Sequence, residues 1–241
     1  MLASDIDKRL LDDLQDRNHV EVFEMDVTND LEVSQTALQI SRLTEKIDIL
    51  VSNAGIFDFF PISEAGSEKL GRIFAVNTLA LPTLTKHFLP LLEGGRLIVI
   101  SSESYKVPSP FQPYAVSKQA LEAIYRAMKP ELALMGIRCI LIRPGAMKTQ
   151  ILEATLNYNV TPEGSRFRKA FDKFLSAVPK YIGRVVTPEV VARTVFKAGT
   201  VRNPRSIYHV NHNPLVSVLS ALPARWQGLV VQKTLGNSKN E

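Results

Sequence analysis

At 241 residues, 45% hydrophobic and 22% charged, the chain has the composition of an ordinary globule and the length for one α/β domain with a substantial core. Its net charge of +5 comes from Lys and Arg scattered among acids, which argues against a nucleic-acid-binding stripe. The single cysteine, Cys139, excludes an internal disulfide and fits a reducing, cytoplasmic compartment.

Aspartates at 5, 7, 12 and 13 rule out a secretory pattern at Met1. Short β-branched runs then alternate with longer helical patterns, the signature of βαβ units and a parallel sheet. The chain order is helix Ile6 to Asp16, strand His19 to Val27, helix Asp30 to Glu45 and strand Ile47 to Asn53. A long helix from about Ser67 to Leu92 follows, then strand Gly95 to Ser102, helix Pro113 to Met135 and strand Ile137 to Gly145. Helix Pro188 to Lys197, started by Thr187 as N-cap with proline behind it, leads to the last strand, Ser206 to Asn211. Several strands are near-continuous apolar runs, as expected when both faces of a sheet are covered. Pro130 is expected to kink its helix well beyond any chemistry near the start. No linker or repeat divides the chain, and the apolar run Pro214 to Ala224 is too short to span a bilayer.

Within "PYAVSKQALEAIY" (Pro113 to Tyr125), Tyr114 and Lys118 stand four residues apart and so share a helix face. A cation beside a phenol favours the phenolate and lowers its pKa from about 10. That would make Tyr114 a general acid or base near neutral pH. The same spacing also occurs on ordinary amphipathic helices, so the surrounding residues decide. In a doubly wound sheet, ligands bind outside the carboxyl ends of the strands. "NAG" (Asn53, Ala54, Gly55), "SS" (Ser101, Ser102) and "RPGAMKT" (Arg143 to Thr149) each follow a predicted strand, and the Tyr114 helix begins just after the second. Small residues at such ends let a ligand approach the backbone.

Together with "DV" (Asp26, Val27) and "VN" (Val76, Asn77), these segments resemble the classical short-chain dehydrogenase/reductase family from about Ala3 to Asn211, and the tail from His212 onward resembles that of its retinol- and hydroxysteroid-type members. The resemblance implies a Rossmann-like doubly wound parallel sheet and hydride transfer between NAD(P) and a lipophilic or secondary alcohol or ketone. It assigns Tyr114 as proton donor and acceptor, and Lys118 as the group that lowers the phenol's pKa and holds the nicotinamide ribose. Ser102 polarises the substrate oxygen, with Ser101 as its rival, and Asn77 supports a proton-relay water. Cofactor contacts are implied for Asp26 and Val27 at the adenine, and for Asn53, Ala54 and Gly55 along the adenosine ribose. Pro144, Gly145 and Thr149 would hold the carboxamide end. Asp5 matches the acid that binds the ribose hydroxyls, which favours NAD over NADP because a carboxylate repels a 2′-phosphate. The residues call for no metal.

The departure from the family lies at the front. No glycine precedes Gly55, so the glycine-rich loop that holds the pyrophosphate is not found, and Met1 falls where the family's second strand is under way. The expectation is a sheet incomplete at the N-terminus, lacking its first βα unit of about 30 residues. A truncated or non-catalytic binding protein with weak cofactor affinity is the rival reading. After Thr149, residues 150–184 are expected to form a substrate lid. Its Ile151, Leu152, Leu156, Tyr158, Phe167, Phe171, Phe174, Leu175 and Tyr181 suit a lipophilic substrate or serve equally as the core of two lid helices. In the C-terminal extension (212–241), Trp226 beside Arg225 suits weak contact with a membrane surface, and a packed core or dimer helix would use the same residues. The family resemblance also implies a homo-oligomer.

Overall fold

Strand β1 (Leu2–Asp5) pairs in parallel with β2 (Glu21–Glu24), with Leu2 opposite Glu21 and Asp5 opposite Glu24. The connection is a 3₁₀ turn at Lys8–Leu11 followed by α1 (Asp12–Gln15). A βα unit therefore stands at the front of the chain, where the sequence was expected to lack its first one. The single helix expected over Ile6 to Asp16 is broken into these two pieces. Asp7 caps the 3₁₀ turn by accepting from the Arg9 amide, and Leu11 alone is buried, so no continuous apolar stripe sustains a longer helix. The computed structural model describes residues 1–106, 110–160 and 163–236.

Helix α2 (Asp30–Ser41) is capped by Asn29, whose side chain accepts from Leu31 and Glu32, while the Glu32 carboxylate reaches back to the Asn29 amide group and the Asp26 backbone N–H. Next comes β3 (Ile49–Ser52), followed by α3 (Ser67–Phe74), a π-helical turn at Ala75–Leu79 and α4 (Ala80–Leu92). β4 (Arg96–Ile100), α5 (Pro113–Ala133) and β5 (Arg138–Pro144) form the centre of the fold. α5 runs through Pro130 without interruption. The remaining elements are α6 (Gln150–Leu156), α7 (Arg168–Tyr181), α8 (Pro188–Thr200), β6 (Ile207–Val210), α9 (Pro214–Ala221) and α10 (Ala224–Leu235).

Among the described residues the strands form two parallel sheets, β1-β2 and β3-β4-β5-β6. The period-2 alternation of β4 and β5 sends residues to opposite faces. Leu97, Val99, Cys139 and Leu141 pack with Leu81, Leu92, Leu121, Tyr125 and Leu132 of α4 and α5. Ile98, Ile100, Ile140 and Ile142 pack with Val191 and Ala198 of α8 on the other face. This explains the unbroken apolar runs of the sequence. A third cluster bridges the two sheets. α2 and α4 bring Val33, Ile40, Leu84 and Phe88 against Leu2 and Phe23 of the first sheet, Leu50 of the second and Ile47 just before it. The lid segment contains residues 161 and 162, and the C-terminal extension contains 237–241, which lie outside the described residues.

Candidate active site

The carboxyl ends of β3, β4 and β5 converge with the start of α5. Pro113 occupies the first turn of that helix, where a missing N–H goes unnoticed, and sets Tyr114 at its entrance. Ser102, which follows β4, is the side chain that acts on the Tyr114 phenol, favouring its ionised form. Ser102 is held in turn by the Ser104 amide (3.2 Å) and hydroxyl (2.9 Å), both donating to its Oγ. Ser101 faces elsewhere: its hydroxyl donates to Glu122 Oε1 at 2.8 Å. Of the two serines, Ser102 is the one brought to the tyrosine.

One turn further along α5, Lys118 is buried, with Nζ 5.7 Å from the centre of the Tyr114 ring. It donates to the Ile100 carbonyl at 3.1 Å. Burial pushes its pKa down to about 8. Tyr114 is half-buried. Burial pushes the phenol up to about 12, opposed only in part by Ser102. The expected lowering by Lys118 is thus reversed in this state. Desolvation of the phenolate dominates, and the Lys118 ammonium is turned toward the Ile100 carbonyl.

Asn77 sits in the π-helical turn, whose extra residue breaks the α-helical register and delivers the side chain to the β3 loop. Its Oδ1 accepts from the Ile56 amide (2.8 Å), and its Nδ2 donates to the Ile56 carbonyl (2.9 Å) and to Ser117 Oγ (2.9 Å). Ser117 Oγ donates to the Tyr114 carbonyl at 2.7 Å, so one chain of bonds ties the "NAG" loop to the catalytic helix. A Cβ added at Gly55 would lie 3.5 Å from Asn77 Oδ1 and 3.7 Å from Lys118 Nζ, which puts both groups beside this glycine. Tyr114, Ser102, Lys118, Asn77 and Gly55 form one continuous site.

The other sequence-predicted residues divide. Asn53 and Ala54 are exposed at the end of β3, open to a ligand. Asp5 ends β1 and accepts from the Asp7 amide at 3.1 Å. Arg9 is bound by Asp7 in a two-pronged ion pair at 2.8 and 2.9 Å, so its charge is already answered. The Asp26 carboxylate is engaged by the amide and hydroxyl of Thr28, and Val27 packs into the cluster beneath α2. Pro144 is buried at the end of β5. Gly145 is not open to a ligand on its Cβ side: a Cβ would lie 2.1 Å from the Asn211 carbonyl and 2.8 Å from Glu103, so glycine is required for packing. Thr149 caps α6 by accepting from the Leu152 amide.

Sequence reasoning missed Glu122. It is 1% exposed and accepts two bonds from Arg143 (2.7 and 2.9 Å) besides that from Ser101. Arg143 also stacks on the Tyr105 ring at 4.2 Å. The signal was present, because Tyr114, Lys118 and Glu122 recur at intervals of four and mark one face of α5.

The nucleoside end of a nicotinamide cofactor fits these residues. The Lys118 ammonium has three protons and one described acceptor, which leaves donors for a ribose diol beside Gly55. For the diphosphate, the described residues before Gly55 offer no glycine turn. The family model for short chain dehydrogenase matches residues 4–158. The chain belongs to the short-chain dehydrogenase/reductase family. It is similar to the NADPH-dependent 3-dehydrocapnine reductase of Ornithobacterium rhinotracheale, 31% identical over 90% of this chain and 80% of that protein. It also resembles the 2,3-dihydro-2,3-dihydroxybenzoate dehydrogenase of Escherichia coli K12, 28% identical over 71% of this chain and 69% of that one. The crystal structure of a short-chain dehydrogenase from Streptomyces avermitilis shares the fold, with a TM-score of 0.76 and 19% identity across 100% of this chain and 89% of that one. This short-chain dehydrogenase/reductase is accordingly an NAD(P)-dependent oxidoreductase with a Rossmann-like parallel sheet. The family match begins at residue 4 and β1 at Leu2, so neither supports the expectation of an absent first βα unit.

Proposed function

We propose that this protein interconverts a lipophilic or secondary alcohol and its carbonyl, with Tyr114 as the proton donor and acceptor at the substrate oxygen. The observation that carries the reading is the buried Lys118 ammonium 5.7 Å from the Tyr114 ring and beside Gly55, with Ser102 acting on the same phenol. When bound, the nicotinamide supplies or accepts the hydride. The protein's own residues manage the proton and the developing charge. Ser102 Oγ–H and Tyr114 Oη–H are the two donors offered to a substrate oxygen that gains electron density. A phenol pushed up to about 12 keeps its proton at neutral pH and is therefore ready as the acid for carbonyl reduction. Lys118 stays charged below about pH 8 and serves the ribose diol. Asn77 holds the β3 loop and α5 in register beside Lys118.

A lipophilic substrate is supported by Phe57, whose ring stands 5.7 Å from that of Tyr114 in an edge contact. The buried lid aromatics Phe171 and Phe174 pack on Phe59 and Phe111, which favours their core role. Asp5 supports NAD over NADP, and with Arg9 paired to Asp7 that preference rests on the carboxylate. The experiment is turnover of a panel of aliphatic, alicyclic and aromatic carbonyls with NADH and with NADPH. Loss of reduced nicotinamide with at least one carbonyl is expected, and a flat response across the panel with both cofactors would refute the reading.

One set of observations favours the rival reading of weak cofactor affinity. The β1-β2 and β3–β6 sheets share no ladder among the described residues, Val51 in the middle of β3 is 40% exposed, and no glycine precedes Gly55. Calorimetric titration of NADH into this chain separates the two. Absence of saturable binding supports the rival, and saturable binding removes it.

A further inference from the structure

Helix α10 is apolar on two opposite faces. Val231 and Leu235 turn inward and pack with Phe171 and Phe174 of the lid. On the other side Trp226, Leu229, Val230 and Lys233 follow the i, i+3, i+4, i+7 spacing of a single stripe. That stripe faces solvent: Trp226 is 57%, Leu229 47% and Val230 41% exposed. The preceding helix α9 has no buried residue although most of its positions are apolar, and Leu215 and Val218 are also exposed on it. The fold thus spends none of this surface on its own core.

Charge indicates what covers it. Helices α9 and α10 hold two basic residues, Arg225 and Lys233, and no Asp or Glu, whereas the chain as a whole is nearly balanced, with 29 basic and 24 acidic residues. Arg225 and Lys233 bracket the exposed stripe at its two ends. A second copy docked on this stripe would bring these cations together in either orientation, with no carboxylate in the segment to answer them. We propose that α9 and α10 form a docking surface for a membrane bearing anionic lipids, lying in the interface without crossing it. Trp226, Leu229 and Val230 enter the acyl boundary, an indole ring being suited to a site that is apolar at one end and wet at the other. Arg225 and Lys233 extend to the phosphate layer. The Val231 and Leu235 face keeps the lid attached, so the catalytic domain is held against the bilayer with its lid nearest the lipid. No helix among the described residues is long and apolar enough to cross a membrane, consistent with an interfacial mode.

Trp226 is the only tryptophan of the chain, so its fluorescence reports this surface alone. The full chain is titrated with vesicles of phosphatidylcholine, and with vesicles in which about a third of the lipid is phosphatidylserine. The expected result is a blue shift and rise in emission with the anionic vesicles, reversed by high salt, and a much smaller change with phosphatidylcholine. Lys233→Gln should weaken partitioning about fivefold, the factor for ~1 kcal/mol per basic side chain near an anionic surface. Leu229→Ser with Val230→Ser, both at exposed positions that leave the fold alone, should abolish the shift. Unchanged emission at every anionic vesicle concentration would overturn the proposal. So would a blue-shifted emission without lipid that tracks dimer formation in light scattering and is indifferent to vesicles, since a second copy would then be the occupant.

Discussion

Replacing Arg143 by methionine tests the buried ion pair that ties the catalytic helix to the sheet. The substitution keeps most of the side chain's volume and leaves the Glu122 carboxylate, 1% exposed, without its two charged donors. Only the Ser101 hydroxyl would still serve it. Removing one partner of such a buried pair costs about 3–5 kcal/mol, far more than the pair contributes over an apolar replacement. At about 2–4 °C per kcal/mol for a chain of this size, the melting temperature should fall by roughly 6–20 °C. Circular dichroism of the thermal transition reads it directly. The double variant Arg143→Met, Glu122→Met removes the orphaned charge and should recover most of the loss, apart from about 1 kcal/mol for the Ser101 hydroxyl. A loss under about 1 kcal/mol in Arg143→Met, or no recovery in the double variant, would show that the pair is not the desolvated link its distances describe.

Tyr114→Phe should lower turnover by roughly 10²–10⁴, the usual worth of a positioned general acid, while shifting the melting temperature little. Unchanged turnover would remove Tyr114 from the mechanism. In lysine-selective NMR of the cofactor-free protein, Lys118 should titrate near pH 8, and a midpoint above 10 would refute its burial as described. Because its folded value lies below the 10.5 of a free lysine, the unfolded chain holds the extra proton between those values. Stability from this group should therefore rise with pH across that window, and Lys118→Met should remove the rise. Phe174→Ala should cost about 3–5 kcal/mol as a core cavity, and a near-normal melting temperature with a raised KM would instead make Phe174 a substrate contact. Asp5→Ser should raise kcat/KM for NADPH relative to NADH, and an unaltered ratio would detach Asp5 from cofactor choice.

Much of this was legible because the chemistry lies on regular elements. The apolar runs of β4 and β5 announced a sheet covered on both faces, and the four-residue spacing announced a shared face for Tyr114 and Lys118. What escaped were properties that depend on depth and register. The π-helical turn at Ala75–Leu79 reads as plain helix in sequence, yet it delivers Asn77 to the Ile56 backbone. The direction of the Tyr114 shift follows from desolvation, and spacing does not encode that. Gly145 resembles a ligand-facing glycine by position, whereas the Asn211 carbonyl already occupies the space. The choice between Ser101 and Ser102 turned on Glu122, a partner twenty or more residues away. The front of the chain was read from a missing glycine pattern, and the structure opens there on a strand and a short helix.

The central claim is that the hydride reaches the carbonyl carbon while Tyr114 delivers the proton to the oxygen it bears. Deuterium transfer tests it most directly: NADH or NADPH labelled at the transferring position is incubated with the best carbonyl of the panel, and the alcohol is weighed by mass spectrometry. One deuterium at the carbinol carbon is expected with the native chain, with little or no labelled alcohol from Tyr114→Phe. Alcohol formed without the label, or labelled alcohol formed equally fast without the phenol, would contradict the account.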